Sequence, residues 1–353
     1  SLCCNSKVSS KKYLIYKEIY DYSNIDLDGL DDFFKKNFSF IHNWKNDTYI
    51  FCYPHKCYIE PIYGWVISQN KKILMHSVPN SYREIEFGGC WGKTPKPNSF
   101  FYYKSKHKSK FYKEIISLNY QGGGFGTNYF FFYDQLIGQL LLLESKNINI
   151  DLPVLVDFNI YNTSFFQEAL KLSEKLKNIN WIVRNKSDFI ISEKVYCART
   201  ICYKSKFLIP TVSLFSSIKA LNFERKIFLT RSIFRSRHIR NKAEIENIAK
   251  SFGYEIIDND KLSLVEQISL FKSCSKLIAL HGAGNINIIF RFPNSLKFLE
   301  LQTPDWLAAS YFIIAKEFSF DYQAVIGSNL DQNSSFYINP YSFKEKIISW
   351  LEN

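Results

Sequence analysis

The amino-acid sequence predicts an α/β protein. Three observations carry that reading. Strand-like and helix-like segments alternate regularly through the second half, a looser alternation runs from Val154 to Tyr203, and the chain has 353 residues. Single hydrophobic cores usually stop growing near about 250–300 residues, so two domains are expected. The division falls at 1–210, an N-terminal α/β domain, and 211–353, a C-terminal Rossmann-like domain, with Ile209 to Glu224 as the hinge.

The second half reads most clearly. A strand at Lys226–Thr230 leads through a basic loop to a helix at Lys242–Phe252, which Gly253 closes as the residue after the C-cap. A strand at Tyr254–Asp258 follows, and Ser263 with Glu266 three residues on has the capping-box pattern of a helix start. Strands at Leu277–Leu280, Leu296–Leu301 and Tyr322–Ile326 complete the set, with helices around Trp306–Phe318 and Ser342–Leu351. Five strands in this order make a doubly wound, Rossmann-like sheet, whose ligands gather outside the carboxyl ends of the strands. Arg231, His281 and Glu300 all fall at such ends.

The pivotal stretch is Lys276 to Asn287. Its apolar run stops at His281-Gly282-Ala283-Gly284, and a new apolar segment, Ile286 to Phe290, starts at once. Glycine in such a turn accepts positive φ and lets a ligand approach the bare backbone. The helix start beyond it offers unpaired N–H groups and a partial positive charge to a phosphate, with His281 and Asn285 flanking it. A packing turn with a satisfied histidine is the other reading, and the convergence of strand ends favours the ligand. The loop from Arg231 to Arg240 adds Arg235, Arg237 and His238, and arginine meets phosphate through a bidentate fork. Glu300 could accept from a ribose diol or hold one of these arginines.

The first half is less periodic. Residues 1–45 read as an irregular or short-helical lead-in. Trp65–Ser68, a polar turn and Ile73–His76 read as a hairpin. Gln121 to Asn128 carries four glycines before an apolar helix, Tyr129 to Glu144, capped by Thr127 or Asn128. Asp134 lies one turn into that helix among aromatic and aliphatic residues. Desolvation there would raise its pKa toward that of a general base, although capping or pairing with a cation would also account for it. A strand at Val154–Phe158, a helix at Phe165–Leu176, a strand at Trp181–Arg184 and β-type sequence over Val195–Tyr203 follow.

Apolar residues make up 46% and aromatics 17%, enough for a substantial core, and the formal charge of +12 favours acidic or phosphorylated partners or an anionic membrane face. The lysine-rich stretch Lys104 to Lys113 reads as a solvated loop. No nucleic-acid-binding signature is present, so no nucleic-acid partner is expected. Eight cysteines lack zinc-like spacing and fit buried thiols in a reducing compartment. No leader or spanning run appears, and the sequons of so asparagine-rich a chain are expected by chance. The protein is therefore expected in the cytoplasm. Asp26-Leu27-Asp28 and Asp258-Asn259-Asp260 have the D-x-D form without an evident acceptor cleft. Arginines and helix dipoles, rather than a metal, would then neutralise a nucleotide diphosphate. No Gly-x-Gly-x-x-Gly follows an early strand, which weighs against a dehydrogenase.

Taken in order, these pieces resemble the family 61 glycosyltransferases. That family pairs a strand ending in Ser-Arg with an arginine-rich R-x-I-x-N-E turn, an E-Q helix, an H-G-A-G turn ending in Asn and a strand ending in Glu. Here they stand as Thr230-Arg231-Ser232, Arg237 to Asn241 with Lys242, Glu266-Gln267 to Phe271, His281 to Asn287, and Phe298-Leu299-Glu300. Asn128-Tyr129 and the aromatic helix look like the family's N-Y-x-H-W segment, with Phe131 at the usual histidine, and Gln135, beside Asp134, at the usual acid. The resemblance implies a GT-B architecture: two Rossmann-like domains facing a cleft, with the nucleotide sugar on the C-terminal one. It also implies inverting, metal-independent transfer from a nucleotide sugar, expected to be UDP-linked, to a glycan or lipid-linked glycan in bacterial capsule, lipopolysaccharide or exopolysaccharide synthesis. Arg231, Arg235 and Arg237 with Gly282, Ala283 and Gly284 would hold the diphosphate. Glu300 would hold the ribose, His281, Asn241, Asn285 and Asn287 would line or brace the pocket, and Asp134 would be the catalytic base. The positive charge would hold the enzyme peripherally at the inner face of the inner membrane. A non-catalytic basic module for nucleic acid or acidic glycan is the alternative.

Overall fold

The computed structural model describes residues 7–8, 11–59, 64–70, 72–74, 109–118, 128–185, 188–200, 203–221, 223–234, 237–305, 307–328, 330–332 and 334–352. The chain divides into two compact units. The first comprises Ser1–Tyr20, Asn46–Cys202 and Lys206–Leu214, and the second Asp21–Lys45, Tyr203–Ser205 and Phe215–Asn353. Both are mixed α/β.

In the first unit, Trp181–Arg184, Val154–Asp157, Ser109–Ser117 and Phe189–Arg199 lie side by side and parallel. Val154, Leu155 and Val156 are all buried, as expected for a parallel strand covered on both faces. Beyond Phe189–Arg199 the pairing turns antiparallel, to Lys45–Tyr53 and Cys57–Ile59. The expected hairpin is present: Val66–Ser68 pairs antiparallel with Ile73–Leu74, and Ser68 N donates to Lys72 O at 2.9 Å. Asn128 is the cap, its side chain accepting from Phe130 N at 2.9 Å. The helix it starts passes through Tyr129–Phe131, a π-helical stretch Phe132–Ile137, and Gly138–Ser145.

Two expectations need correction, and the segment of the expected hinge is partly helical. The lead-in holds the short helix it suggested, at Asp32–Phe38, but also an eight-residue strand, Leu14–Asp21, paired with Lys45–Tyr53. Its strand alternation was masked because apolar residues occupy both faces: Ile15 and Ile19 are exposed opposite the half-buried Leu14, Tyr16 and Tyr20. Residues 205–213 form a helix, so the expected hinge begins inside regular structure. Ser109–Lys113 of the lysine-rich stretch is strand rather than loop. Residues 104–108 and the glycine-rich 121–127 lie outside the described residues. Among the described residues no helix is long and apolar enough to cross a membrane.

The second unit carries a five-stranded, all-parallel sheet. We label its strands β1 (Arg225–Thr230), β2 (Glu255–Asp258), β3 (Cys274–Leu280), β4 (Lys297–Gln302) and β5 (Asp321–Ile326). Their order across the sheet is 2-1-3-4-5. Helices α1 (Lys242–Ser251), α2 (Leu264–Ser273), α3 (Ser310–Glu317) and α4 (Pro340–Lys346) connect or follow them. On one face Phe228, Ile278, Leu280, Leu299 and Leu301 pack with Ile245 and Ala249 of α1 and Phe343 of α4. On the other, Phe298 meets Tyr311 of α3 and Tyr322 of β5, ring centroids 6.4 and 5.6 Å away. Side chains alternate across each strand, so β4 sends Leu299 and Leu301 to the first face and Phe298 to the second.

The punctuation read from the sequence is present. Ser263 and Glu266 form a reciprocal capping box, and Gly253 ends α1 with φ +82° and its N–H on Lys250 O at 2.9 Å. A Cβ at Gly253 would meet nothing within 4 Å, so only the left-handed backbone requires glycine there. Gly253→Ala should therefore cost about 1 kcal/mol of unfolding free energy. Urea denaturation checks this, and an unchanged midpoint would mean the backbone relaxes out of the left-handed region.

Candidate functional site

In a 2-1-3-4-5 sheet the crossovers leave β1 and β3 in opposite directions, opening a crevice between the carboxyl ends of those two strands. Thr230 ends β1 and hands the chain to Arg231, and Leu280 ends β3 and hands it to His281 and Gly282. The two sequence signals thus meet at the switch point. A Cβ placed on Gly282 would lie 2.8 Å from Nη2 of Arg231.

That contact changes the reason for the glycines. Gly282 is extended, with φ −175° and ψ 162°, and Gly284 is also absent from the positive-φ glycines. The expected left-handed turn is not there. A side chain at either position would displace a neighbour: the tip of Arg231 at Gly282, and at Gly284 the amide of Asn259, whose Nδ2 would be 2.7 Å from a Cβ. Ala283 begins a nine-residue 3₁₀ helix, Ala283–Arg291. Runs of this kind beyond three or four residues are uncommon, and this one is tied at both ends. Asn285 Nδ2 donates back to Leu280 O at 2.9 Å. Asn287 Nδ2 and Asn259 Nδ2 both donate to Gln267 Oε1, at 2.9 and 3.0 Å. Gln267 Nε2 in turn donates to Leu262 O at 3.0 Å. At the far end the buried Arg291 donates to Ser295 O, Lys272 O and the Glu224 carboxylate at 2.7–2.9 Å. The first backbone N–H groups of such a helix have no intrahelical acceptor.

Behind His281 lies a buried carboxylate. Glu300 is 0% exposed, and its oxygens meet His281 Nδ1 at 2.8 Å, Tyr322 Oη at 2.6 Å and Gln302 Nε2 at 3.0 Å. The His281 side chain is 12% exposed, and its ring lies 5.3 Å from that of Tyr311. Glu300 therefore holds a histidine, not an arginine. Tyr311 covers the turn from α3, donating its hydroxyl to Gly282 O at 2.5 Å. Burial first, and then the charge of Glu300, push the Tyr311 and Tyr322 hydroxyls well above the usual tyrosine value, while Arg231 and Arg237 pull Tyr311 the other way.

From Arg237 on, the arginine loop is braced. Arg237 has φ +60°, a strained value for a side-chain-bearing residue. The chain beyond it is clamped by an Ile239↔Phe336 bridge, with Arg240 N on Phe336 O at 2.7 Å. Asn241 exchanges hydrogen bonds with the Ile338 backbone at 2.9 and 3.1 Å, so it braces this clamp. Arg235 lies outside the described residues. Burial would raise Asp305, just beyond β4. Hydrogen bonds from Ser334 and Thr303, its own backbone N–H and the nearby Arg237 outweigh that and hold its carboxyl below the usual range.

Asp134 belongs to the first unit, in the π-helical stretch Phe132–Ile137, and its side chain lies outside what is described. Among the described residues no three His, Cys, Asp or Glu side chains converge as a metal site would.

Sequence reasoning missed Tyr311, Tyr322, Gln302, Asn259 and Asp305. Only Asp305 carried a usable signal, since it stands just past a strand end. Gln267 was visible within the Glu-Gln helix start, but its bond to Asn287 was not.

Compared with known families, residues 100–297 match the family described as Glycosyltransferase 61, more than half of the chain. No curated protein matches.

Two outcomes follow from the buried cluster. Glu300→Ala strands the His281 and Tyr322 donors, while Gln302 keeps Ala308 O; at about 1–3 kcal/mol each, the variant should lose about 2–6 kcal/mol in urea denaturation. A loss under about 1 kcal/mol would mean water replaces the carboxylate. Tyr311 and Tyr322 are raised in the folded state, so their stabilisation is complete below about pH 10 and is lost as pH climbs through the raised values. Unfolding free energy should fall above pH 10 by about 1.4 kcal/mol per pH unit for each tyrosine. Tyr322→Phe should make that slope shallower, and an unchanged slope would count against the burial argument.

Proposed function

The chain belongs to the glycosyltransferase 61 family, and from that premise we propose that it moves a sugar from a nucleotide sugar to a glycan or lipid-linked glycan acceptor. The reading we favour is an inverting, metal-independent transfer on a GT-B arrangement of two α/β domains. It would serve bacterial capsule, lipopolysaccharide or exopolysaccharide synthesis from the cytoplasm, peripheral to the anionic inner face of the inner membrane. UDP is the proposed nucleotide.

One observation supports the donor site above all. The guanidinium of Arg231 lies against the bare Cα of Gly282 at the switch point, where the 3₁₀ helix starts. A diphosphate there would meet a bidentate cation and unpaired backbone N–H groups together. In the reaction, the acceptor hydroxyl attacks the anomeric carbon, the bond to the nucleoside diphosphate breaks, and negative charge gathers on the leaving oxygens. Arg231, Arg237 and the helix start would stabilise that charge without a metal. Asn285, Asn287 and Asn241 would act as braces, and His281, fixed by Glu300, would offer its outer edge to the ribose in place of the enclosed carboxylate. Asp134 is the proposed base that takes the hydroxyl proton. Phe131 and Gln135, at positions where the resemblance implies a histidine and an acid, favour one second reading: a sugar-nucleotide-binding relative without turnover.

A thermal-shift series with UDP, GDP, CMP and dTDP, with and without magnesium, tests the assignment, because a ligand that binds only the native state raises its melting temperature. One nucleotide should stabilise the protein equally with and without magnesium. Arg231→Ala should weaken that binding about ten- to a hundredfold, and Gly282→Ala should weaken it too by pushing the guanidinium aside. If no nucleotide raises the melting temperature, the donor site is wrong. Binding without sugar release from any UDP-sugar would favour the non-catalytic relative.

A further inference from the structure

Beside the crevice, the loop leaving β1 carries an apolar tip. Ile233 is 55% exposed and Phe234 94%, the most exposed large apolar side chain among the described residues. The tip is a turn in which Phe234 N donates to Ser232 Oγ at 3.3 Å. Single apolar residues scattered over a surface need no explanation. These two are adjacent, and they stand just after Arg231, the residue that lies against Gly282.

Position limits what the tip can reach. Phe234 stands three residues after Arg231, and so short a chain spans at most about 11 Å. A nucleoside whose diphosphate rests on Arg231 extends into that same neighbourhood. An aromatic ring buried on neither face is what a flat heterocycle needs for stacking. We propose that Phe234 is the nucleobase platform of the donor site, its ring stacking on the base while Ile233 covers the base edge. The proposal rests on the diphosphate reading above and deepens it.

Stacking on one ring uses the π-face that every base has, so Phe234 would strengthen nucleotide binding with little choice among bases. Discrimination between uracil, guanine and cytosine would then belong to hydrogen-bonding groups elsewhere. The same pair of apolar residues among arginines would suit an anionic bilayer, but its root is fixed at the crevice by Arg231, which favours a ligand held there.

The test is calorimetric titration of the full chain with UDP and, separately, with pyrophosphate. The wild type should bind UDP more tightly. Phe234→Ala should weaken UDP about ten- to a hundredfold and leave pyrophosphate within about twofold of the wild type. Phe234→Trp should retain UDP binding, with indole emission quenched by UDP and not by pyrophosphate. GDP, CMP and dTDP are titrated the same way if one of them proves the tighter nucleotide. Equal loss of nucleotide and pyrophosphate in Phe234→Ala, or no loss of either, overturns the proposal and leaves the diphosphate site standing. A wild type that binds neither pyrophosphate nor any nucleotide removes both. Unchanged nucleotide binding with lost sedimentation on phosphatidylglycerol vesicles would assign the tip to a bilayer instead.

Discussion

A carboxylate removed from water has to be met by donors, and in the second unit this requirement falls on Glu300. Its oxygens gather His281 from the end of β3, Gln302 from its own strand and Tyr322 from β5. Burying a charge so completely is costly unless it is fully hydrogen-bonded. Those bonds tie the carboxyl ends of β3 and β4 to Tyr322, near the start of β5, and fix the imidazole. Tyr311 then closes over the turn through Gly282 O, so the geometry of the crevice wall follows from satisfying one buried acid.

The glycine turn itself is closely packed. At Gly282 and Gly284 the tips of Arg231 and Asn259 lie where a Cβ would be, so a side chain there would displace them. The polar braces around them explain motif residues that seemed to be ligand candidates. Gln267 collects donors from Asn259 and Asn287, Asn285 bonds back to Leu280 O, and Asn241 secures the arginine loop to Ile338. Each spends its amide on the protein. The site's rigidity comes from these side chains, while Arg231, Arg237 and the start of the 3₁₀ helix are the groups to which the proposed function assigns the diphosphate.

Much of the second unit was legible because its signals are local. A five-residue apolar run, a capping box at Ser263 and a left-handed glycine at 253 depend on neighbours within a turn, and all appear as read. The first unit was less legible for a physical reason. Leu14–Asp21 carries apolar residues on both faces, so no period of two stands out. The helix from Tyr129 to Ser145 was readable even so, because its cap Asn128 and an unbroken apolar run are local signals.

The sequence by itself determined the α/β class, the five strands of the second unit and the arrival of Arg231 and His281 at strand ends, because strand order along the chain and apolar periodicity are written in neighbouring residues. Only the tertiary structure decided that β1 and β3 are adjacent, that Glu300 serves His281, and that Arg231 lies against Gly282. Those facts rest on contacts between residues 19 to 51 positions apart in the chain. No local pattern encodes which of many compatible partners a side chain will meet once the sheet has closed.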